Sequence, residues 1–195
     1  MILSKSDYKY HLASDKKALG RKKLSAKTYI KELVFPDYIW KFQKLLRKVE
    51  FAKNSRPTFF LKLKYIWLQF RFRKLSLKLG FSIPPNVFGP GLAIVHYGTI
   101  VVNANAKVGA NCRIHPSTCI GASGGSSLAP QIGDNVYIAP GVKIYGNIKL
   151  ANNIAITANA AINSSFEEEN ILIGGVPAKK IKEINISNII KHIKT

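Results

Sequence analysis

Residues 132–162 read IGDNVY IAPGVK IYGNIK LANNIA ITANAA I, and an aliphatic residue opens every group of six. An α-helix repeats about every 3.6 residues and a strand every two, so neither explains a strict period of six. A triangular β-solenoid does explain it, because three six-residue sides return the chain to the same inward position. The residues on this first ladder are Val102, Val108, Ile114, Ile120, Ile132, Ile138, Ile144, Leu150, Ile156 and Ile162.

A second ladder stands two residues before the first one. Its members are small or aliphatic: Ala106, Cys112, Thr118, Val136, Val142, Ile148, Ile154 and Ala160. Two inward positions on each side are what a narrow β-coil needs. Glycine follows the first ladder at positions 109, 121 and 133, where the backbone of a solenoid bends at a corner. The two ladders predict a mainly β protein with a solenoid over residues 81–180.

Four segments of this region match a known family. They are HYGTIVV at 96–102, IGASGGSSLAPQI at 120–132, APGVKIYGNI at 139–148 and GVPAKKI at 175–181. With them, residues 83–181 resemble the left-handed parallel β-helix of hexapeptide-repeat acyltransferases, and within these the serine O-acetyltransferase-like branch. The chain is also similar to O-acetyltransferases of surface-polysaccharide pathways. The resemblance implies a left-handed coil, acetyl-CoA as cosubstrate, and a homotrimer, or a multiple of trimers, with sites between subunits.

His96 is the candidate catalytic residue, because the resemblance matches it to the general base of the serine enzymes. Acetyl transfer from a thioester to an alcohol requires removal of the hydroxyl proton, and a neutral imidazole suits that task near pH 7. The family's acidic partner is replaced by Ser82, so Ser82, Asn86 or a backbone carbonyl orients His96, or the base works without a carboxylate. His115 follows Ile114 and should point outward, where it contacts the acceptor or the cofactor.

The resemblance also selects residues for acetyl-CoA. Gly121, Gly124 and Gly125 let a loop backbone approach the pantetheine arm closely, and Ala139 lies in a matching segment. Lys179 or Lys180 meets the 3′-phosphate, although both could equally be solvated lysines. A metal is not expected, because His96 and His115 are the only histidines of the solenoid and a γ-class carbonic anhydrase needs three.

The acceptor is inferred from departures from the serine enzymes. Those enzymes have Asp before the catalytic His and an Arg–His pair in the loop, whereas this chain has Val95, Leu128 and Ala129. Groups that would bind an amino acid's ammonium and carboxylate are therefore missing. We expect a sugar hydroxyl in preference to L-serine, with serine O-acetyltransferase as the alternative.

Charge is concentrated in the first part of the chain. Of its 195 residues, 47% are apolar and the net charge is +20. Residues 1–80 carry 21 Lys and Arg against 5 Asp and Glu, a net +16, whereas residues 81–195 carry 9 against 5, a net +4. Nucleic-acid binding is disfavoured, because the motifs lie in the weakly charged part. Cys112 and Cys119 are expected to be reduced, and the chain to be cytoplasmic, because it has neither an uninterrupted apolar leader nor a membrane span.

Three regions follow from these patterns: a basic, mainly helical segment at 1–80, the solenoid at 81–180, and a capping helix at 181–195. A helix is predicted from Pro36 to about Phe51, with Ile39, Phe42, Leu46 and Val49 on its apolar face. A second is predicted over residues 59–79, with Phe60, Leu63, Trp67 and Phe70 in one stripe. This helix either packs on the solenoid or lies on an anionic membrane as a peripheral contact.

Overall fold

The computed structural model describes residues 1–21, 32, 34–55 and 59–193. Within these ranges, helices α1 (Lys5–Ala18), α2 (Tyr38–Asn54) and α3 (Phe59–Leu79) precede fourteen short strands and two 3-10 helices, Ile186–Asn188 and Lys191–Ile193. The strands are β1 (Phe81–Ser82), β2 (Ala93–Ile94), β3 (Ile100–Val102), β4 (Lys107–Val108), β5 (Arg113–Ile114), β6 (Thr118–Gly121), β7 (Gln131–Ile132), β8 (Tyr137–Ile138), β9 (Lys143–Tyr145), β10 (Lys149–Leu150), β11 (Ala155–Ile156), β12 (Ala161–Ile162), β13 (Ile171–Gly175) and β14 (Ala178–Glu183).

The strands form a three-faced parallel coil. Face A contains β1, β3, β6, β9 and β12; face B contains β4, β7 and β10; face C contains β2, β5, β8, β11 and β13, with β14 antiparallel to β13 at its end. Ladder residues pair with ladder residues on the neighbouring coil, as Ile114 does with Ile138 and Ile120 with Ile144. The predicted solenoid is confirmed.

Both ladders fill the interior of the coil. All their members are buried, and Ile114, Ile138 and Ile144 have no exposed surface. A Cβ on Gly109 would lie 2.7 Å from the Gly133 backbone, so glycine is required where the corners stack. Neither cysteine is paired, and burial raises the pKa of the Cys112 thiol to about 12.

Helix α2 lies across the first coil of the solenoid. Its predicted apolar face is confirmed, because Phe42, Leu46 and Val49 have no exposed surface. The Gln43 side chain donates to the Leu92 carbonyl at 2.7 Å. The helix starts at Tyr38 instead of Pro36, because the Asp37 carboxylate caps it by accepting from the Trp40 N–H at 3.0 Å.

A buried charged cluster joins α1 and α2 to the coil. The Arg47 guanidinium, with no exposed surface, donates to the Asp15 carboxylate at 2.8 and 3.1 Å and to Glu50 at 2.9 Å. It also donates to the carbonyls of Phe88 and Gly89. Burial alone would lower the pKa of Arg47, but the two carboxylates outweigh it and raise that pKa.

Helix α3 has the predicted bounds, but the predicted stripe faces outward. Phe60, Leu63, Trp67 and Phe70 are 52–79% exposed, whereas Leu68, Phe72 and Leu79 are buried against α2 and the coil. The sequence could not distinguish these faces, because apolar residues cover both sides of the helix. The interpretation as a packing helix therefore holds for one side only.

The predicted helix at residues 181–195 is wrong. Strand β14 continues to Glu183 because the chain reverses after Gly175 and pairs with β13, and two short 3-10 helices follow. Ile186 and Ile190 pack on Ala155 of face C, so this segment covers a side of the coil and not its end. The last two residues, 194 and 195, lie outside the described ranges.

The two histidines outside the solenoid, His11 and His192, are not fully exposed. His11 is buried near Asp15 and Arg47, with its Nδ1 unpaired among the described residues. His192 is half-buried, with Nε2 3.2 Å from the Asn111 side-chain oxygen.

Candidate active site

The candidate site is the corner where face C turns into face A, which we call the His96 corner. Ile94, Ile114, Ile138, Ile156 and Ile173 are in register on successive coils. The residues that follow them therefore stack as Val95, His115, Ala139, Thr157 and Gly174. At about 4.8 Å per coil, the corner extends roughly 19 Å from the His96 level to the Gly174 level.

His96 lies in the exposed loop between β2 and β3. The loop is held on both sides, because the Val95 N–H donates to the Ile114 carbonyl at 3.1 Å and the Gly98 N–H donates to the Leu79 carbonyl at 2.9 Å. Among the described residues, the His96 ring makes no hydrogen bond. The backbone of His96 is fixed while its imidazole remains accessible to a ligand.

His115 has a defined tautomer one coil below. Its Nδ1 is 2.8 Å from the Ile138 carbonyl, which can only accept, so Nδ1 carries the proton and Nε2 keeps its lone pair. The ring is buried and lies 5.0 Å from the Tyr137 ring. Burial lowers the pKa of His115, against the opposing hydrogen bond to Ile138, and the charges of Arg113 and His96 lower it further, so its ring is neutral near pH 7.

Ser82 and Asn86 do not orient His96 within one chain. Ser82 pairs with Val101 of β3, five residues beyond His96. The side chain of Asn86 exchanges hydrogen bonds with that of Asn54 at 2.9 Å, and its N–H donates to Glu50. Over the described ranges, neither residue bonds the His96 ring. A contact of Ser82 or Asn86 with acceptor or cofactor stays a prediction.

The glycine-rich loop lies at another corner. Gly121 ends β6 on face A, and the loop continues to β7 on face B, with Gly124 and Gly125 at φ values of 60° and 73°. Gly121 is five residues beyond Pro116, which lies at the His96 corner, and the last three of these steps follow β6 for about 10 Å at 3.3 Å per residue. A single chain therefore does not bring the loop to His96.

The remaining predicted cofactor residues follow the His96 corner. Ala139 is buried directly below His115, whereas Lys179 and Lys180 lie on β14, just after the turn that ends the corner. Lys180 bonds Glu168, which raises the pKa of the lysine, and lies 3.9 Å from Glu183. Lys179 makes no ion pair within the described ranges, so it is the better phosphate ligand of the two.

Sequence reasoning missed Arg113 and Tyr137. Both belong to face C and pair with each other across adjacent coils, beside His115. Each immediately precedes a ladder residue, Ile114 or Ile138. That shared position in the six-residue repeat was the signal that could have placed them together.

The acceptor residues inferred from the sequence are not clustered. Val95 is half-buried at the His96 corner, whereas Leu128 and Ala129 belong to the glycine-rich loop. Leu128 is 54% exposed and Ala129 is 3% exposed. None of the three carries a charge that would pair with an amino acid.

Neither metal sites nor membrane spans are found in the part of the chain that the structure describes. No three His, Cys, Asp or Glu side chains in these ranges gather as metal ligands. Likewise, no helix there combines the length and apolarity required to cross a bilayer.

Comparison with solved structures identifies the fold. Serine acetyltransferase of Neisseria gonorrhoeae matches with a TM-score of 0.70 and 23% identity, over 98% of this chain and 73% of that one. The Brucella abortus enzyme in complex with coenzyme A matches with 0.72 and 23%, over 93% and 70%. The N. gonorrhoeae enzyme in complex with serine matches with 0.65 and 24%, over 92% and 71%. No protein-family model matches the chain, and a search of curated proteins gives no match. The chain has the hexapeptide-repeat β-helix fold of serine acetyltransferases.

Proposed function

We propose that this chain is an acetyl-CoA-dependent O-acetyltransferase with His96 as general base. The supporting observation is the His96 corner, where an accessible histidine stands at the top of a line of stacked turns that ends near Lys179. The roughly 19 Å length of this line suits an extended pantetheine arm with its thioester at His96. A neighbour of the same fold was solved with coenzyme A.

The proposed reaction starts when Nε2 or Nδ1 of His96 accepts the acceptor's hydroxyl proton. The hydroxyl oxygen then bonds to the thioester carbon, and a backbone N–H at the site stabilises the oxyanion. Collapse breaks the carbon–sulfur bond, and the imidazolium returns its proton to the coenzyme A thiolate. His115 is assigned the supporting role, because it is buried and its free Nε2 can accept a hydrogen bond from the acceptor.

The site is completed by a second subunit. Gly121, Gly124 and Gly125 lie across face A from His96, so a loop from a neighbouring chain is needed to flank the cofactor. A homotrimer supplies this contact three times. Subunits that meet corner to corner would form three equivalent grooves.

Two acceptors are considered, L-serine and a sugar hydroxyl. The neighbours favour L-serine, because they are serine acetyltransferases and one of them was solved with serine. The uncharged Val95, Leu128 and Ala129 favour a sugar hydroxyl, because an amino acid needs partners for both its ammonium and its carboxylate. We adopt a glycan acceptor of a surface polysaccharide as the principal hypothesis.

Peripheral contact with a membrane on the cytoplasmic side completes the proposal. The outermost line of α3, Phe59, Leu63, Ile66, Phe70 and Leu77, is 52–84% exposed. Six Lys and Arg and no acidic residue belong to this helix. An apolar line flanked by cations fits the surface of an anionic bilayer.

The test compares His96→Asn with His115→Asn. We expect His96→Asn to slow acetyl transfer roughly a hundredfold or more while coenzyme A binding is kept, because only proton transfer is lost. His115→Asn should raise KM for the acceptor more than it lowers kcat. Release of coenzyme A is measured with L-serine, free sugars, nucleotide sugars and lipid-linked sugars. Near-normal turnover of His96→Asn would overturn the assignment of the base, and saturation by low-millimolar L-serine would overturn the glycan acceptor.

A further inference from the structure

A large groove runs between α2 and α3 and is lined also by α1. Its volume is about 1220 Å³. Leu45, Leu68 and Leu75 form an apolar floor, and the rings of Phe51 and Trp67 line its sides. A cavity of this size and apolarity can hold a long apolar ligand.

All the charged residues on the rim of the groove are cationic. Eight Lys and Arg side chains and no carboxylate line it: Lys5, Lys41, Lys44, Lys48, Lys64, Arg71, Lys74 and Lys78. None of the eight is in an ion pair within the described residues. The residues outside the described ranges contain no Asp or Glu that could neutralise them.

The cations of the rim lie close enough to one another to affect Lys44. The pKa of Lys44 is lowered first by burial, against the opposing charge of Glu32, and further by the charges of Lys48, Arg21 and Lys41. Mutual repulsion of this kind is relieved by a bound anion.

An apolar floor and a cationic rim together specify an amphiphilic anion. Free phosphate would leave the floor empty, and a neutral lipid would leave the charges unpaired. A second copy of this face would bring the same cations against them. Nucleic-acid stacking is disfavoured because Arg71 and Lys78 already lie over the rings of Trp67 and Tyr38, at 4.5 and 3.9 Å.

One end of the groove approaches the His96 corner. Tyr38 and Lys78 line that end, and the next residue, Leu79, accepts the hydrogen bond from Gly98 in the His96 loop. Three Cα–Cα steps and this hydrogen bond connect Lys78 to His96, so their Cα atoms are at most about 18 Å apart. A phosphate held beside Lys78 would direct an attached sugar toward His96.

We propose that the α2–α3 groove binds the acceptor's lipid: a phosphate or diphosphate at the Lys74–Lys78 end, followed by an apolar chain along the floor. This inference rests on the proposed function, and it specifies the acceptor as a sugar joined through phosphate to a lipid. Such a ligand pairs the cations and covers the apolar floor at the same time.

The first experiment measures binding of farnesyl phosphate by calorimetry, with farnesol, inorganic phosphate, phosphatidylglycerol vesicles and a single-stranded oligonucleotide as comparators. Lys74→Gln/Lys78→Gln should weaken farnesyl phosphate binding at least tenfold. Lys62→Gln/Arg73→Gln is the matched control, because it removes the same charge from the other flank of α3. Leu61→Ser in the groove should also weaken binding, whereas Leu77→Ser on the outer side should not.

A second experiment uses the same variants to acetylate a sugar, either free or linked to farnesyl diphosphate. We expect Lys74→Gln/Lys78→Gln to raise the half-saturating concentration of the linked sugar at least tenfold and to leave that of the free sugar unchanged. Equal losses in both charge pairs, equal binding of inorganic phosphate, stronger binding of oligonucleotide, or a Lys74→Gln/Lys78→Gln variant that loses vesicle binding but keeps farnesyl phosphate binding would overturn the groove. Groove-specific binding without acetyl transfer to any acceptor would instead refute the proposed function.

Discussion

Replacing Asp15 with Asn should destabilise the folded protein by about 3 kcal/mol, because it breaks the buried cluster that holds the helices on the coil. The Asp15 carboxylate has no exposed surface and accepts from Arg47 at 2.8 and 3.1 Å. It also accepts from the N–H groups of Gly91 and Leu92 at 2.9 Å. Asparagine keeps the shape but loses the charge, and its NH₂ group would face a guanidinium that can only donate.

The magnitude follows from the groups that remain. Removing one partner of a buried ion pair typically costs about 3–5 kcal/mol, because the other charge stays desolvated. Glu50 still pairs with Arg47 at 2.9 Å, and two carbonyls still accept from it, which places the cost at the lower end of that range. A variant with apolar residues in place of Asp15, Arg47 and Glu50 should also be less stable than the unmutated protein. Five backbone groups would lose their hydrogen-bond partners in it.

Urea unfolding followed by circular dichroism measures this effect. Asp7→Asn is the matched control, since Asp7 lies on the same helix and caps it from an exposed position, where the same substitution should cost much less stability. Equal losses for the two variants, or a loss below about 1 kcal/mol for Asp15→Asn, would refute the reasoning.

Three further predictions concern pH, the core and assembly. The pKa of His11 is lowered to about 4, first by burial and then by the charge of Arg47, so between pH 6.5 and 4 the unfolded chain binds a proton that the folded chain does not. The free energy of unfolding should therefore fall as pH drops through this window, by at most about 3 kcal/mol. Thermal unfolding of His11→Gln should lose this part of the pH dependence. An unchanged dependence of its stability on pH would contradict the prediction. Ile144→Asp should prevent folding, because it buries an unpaired charge, while Lys143→Asp at the exposed neighbouring position should fold, as circular dichroism would report. Light scattering should give a multiple of three subunits, and an active monomer would contradict the site between chains.

The solenoid was predictable because its environment repeats. Once Ile132 and Ile138 set the period of six, every later inward position followed, and the structure buries all of them. The same counting fails at His96, which lies six residues before Val102 and would be an inward position, whereas the structure puts Ile94 there because this coil contains two extra residues. The other ladder positions could be predicted without knowing which distant residues are in contact.

Other features depended on distant contacts. The buried side of α3 is set by α2 and the first coil, and an evenly apolar sequence such as Leu63 to Leu68 gives no preference for either side. The first part of the tail is a strand because residues 178–183 pair with residues 171–175, and the two 3-10 helices that follow pack on Ala155 of face C. The partners of Arg47 lie up to 42 residues away, so no local pattern could indicate them.

Strand β14 is antiparallel at the end of a solenoid that could otherwise be extended by further coils. Each parallel coil presents a row of N–H and C=O groups that can template the next one, as in a fibril. Strand β14 runs against that direction, and its exposed Lys179, Lys180 and Lys182 place like charges where a second molecule would dock. The six residues of β14 thus close the edge of face C, and a chain that lost them would expose that edge to pairing with a second molecule.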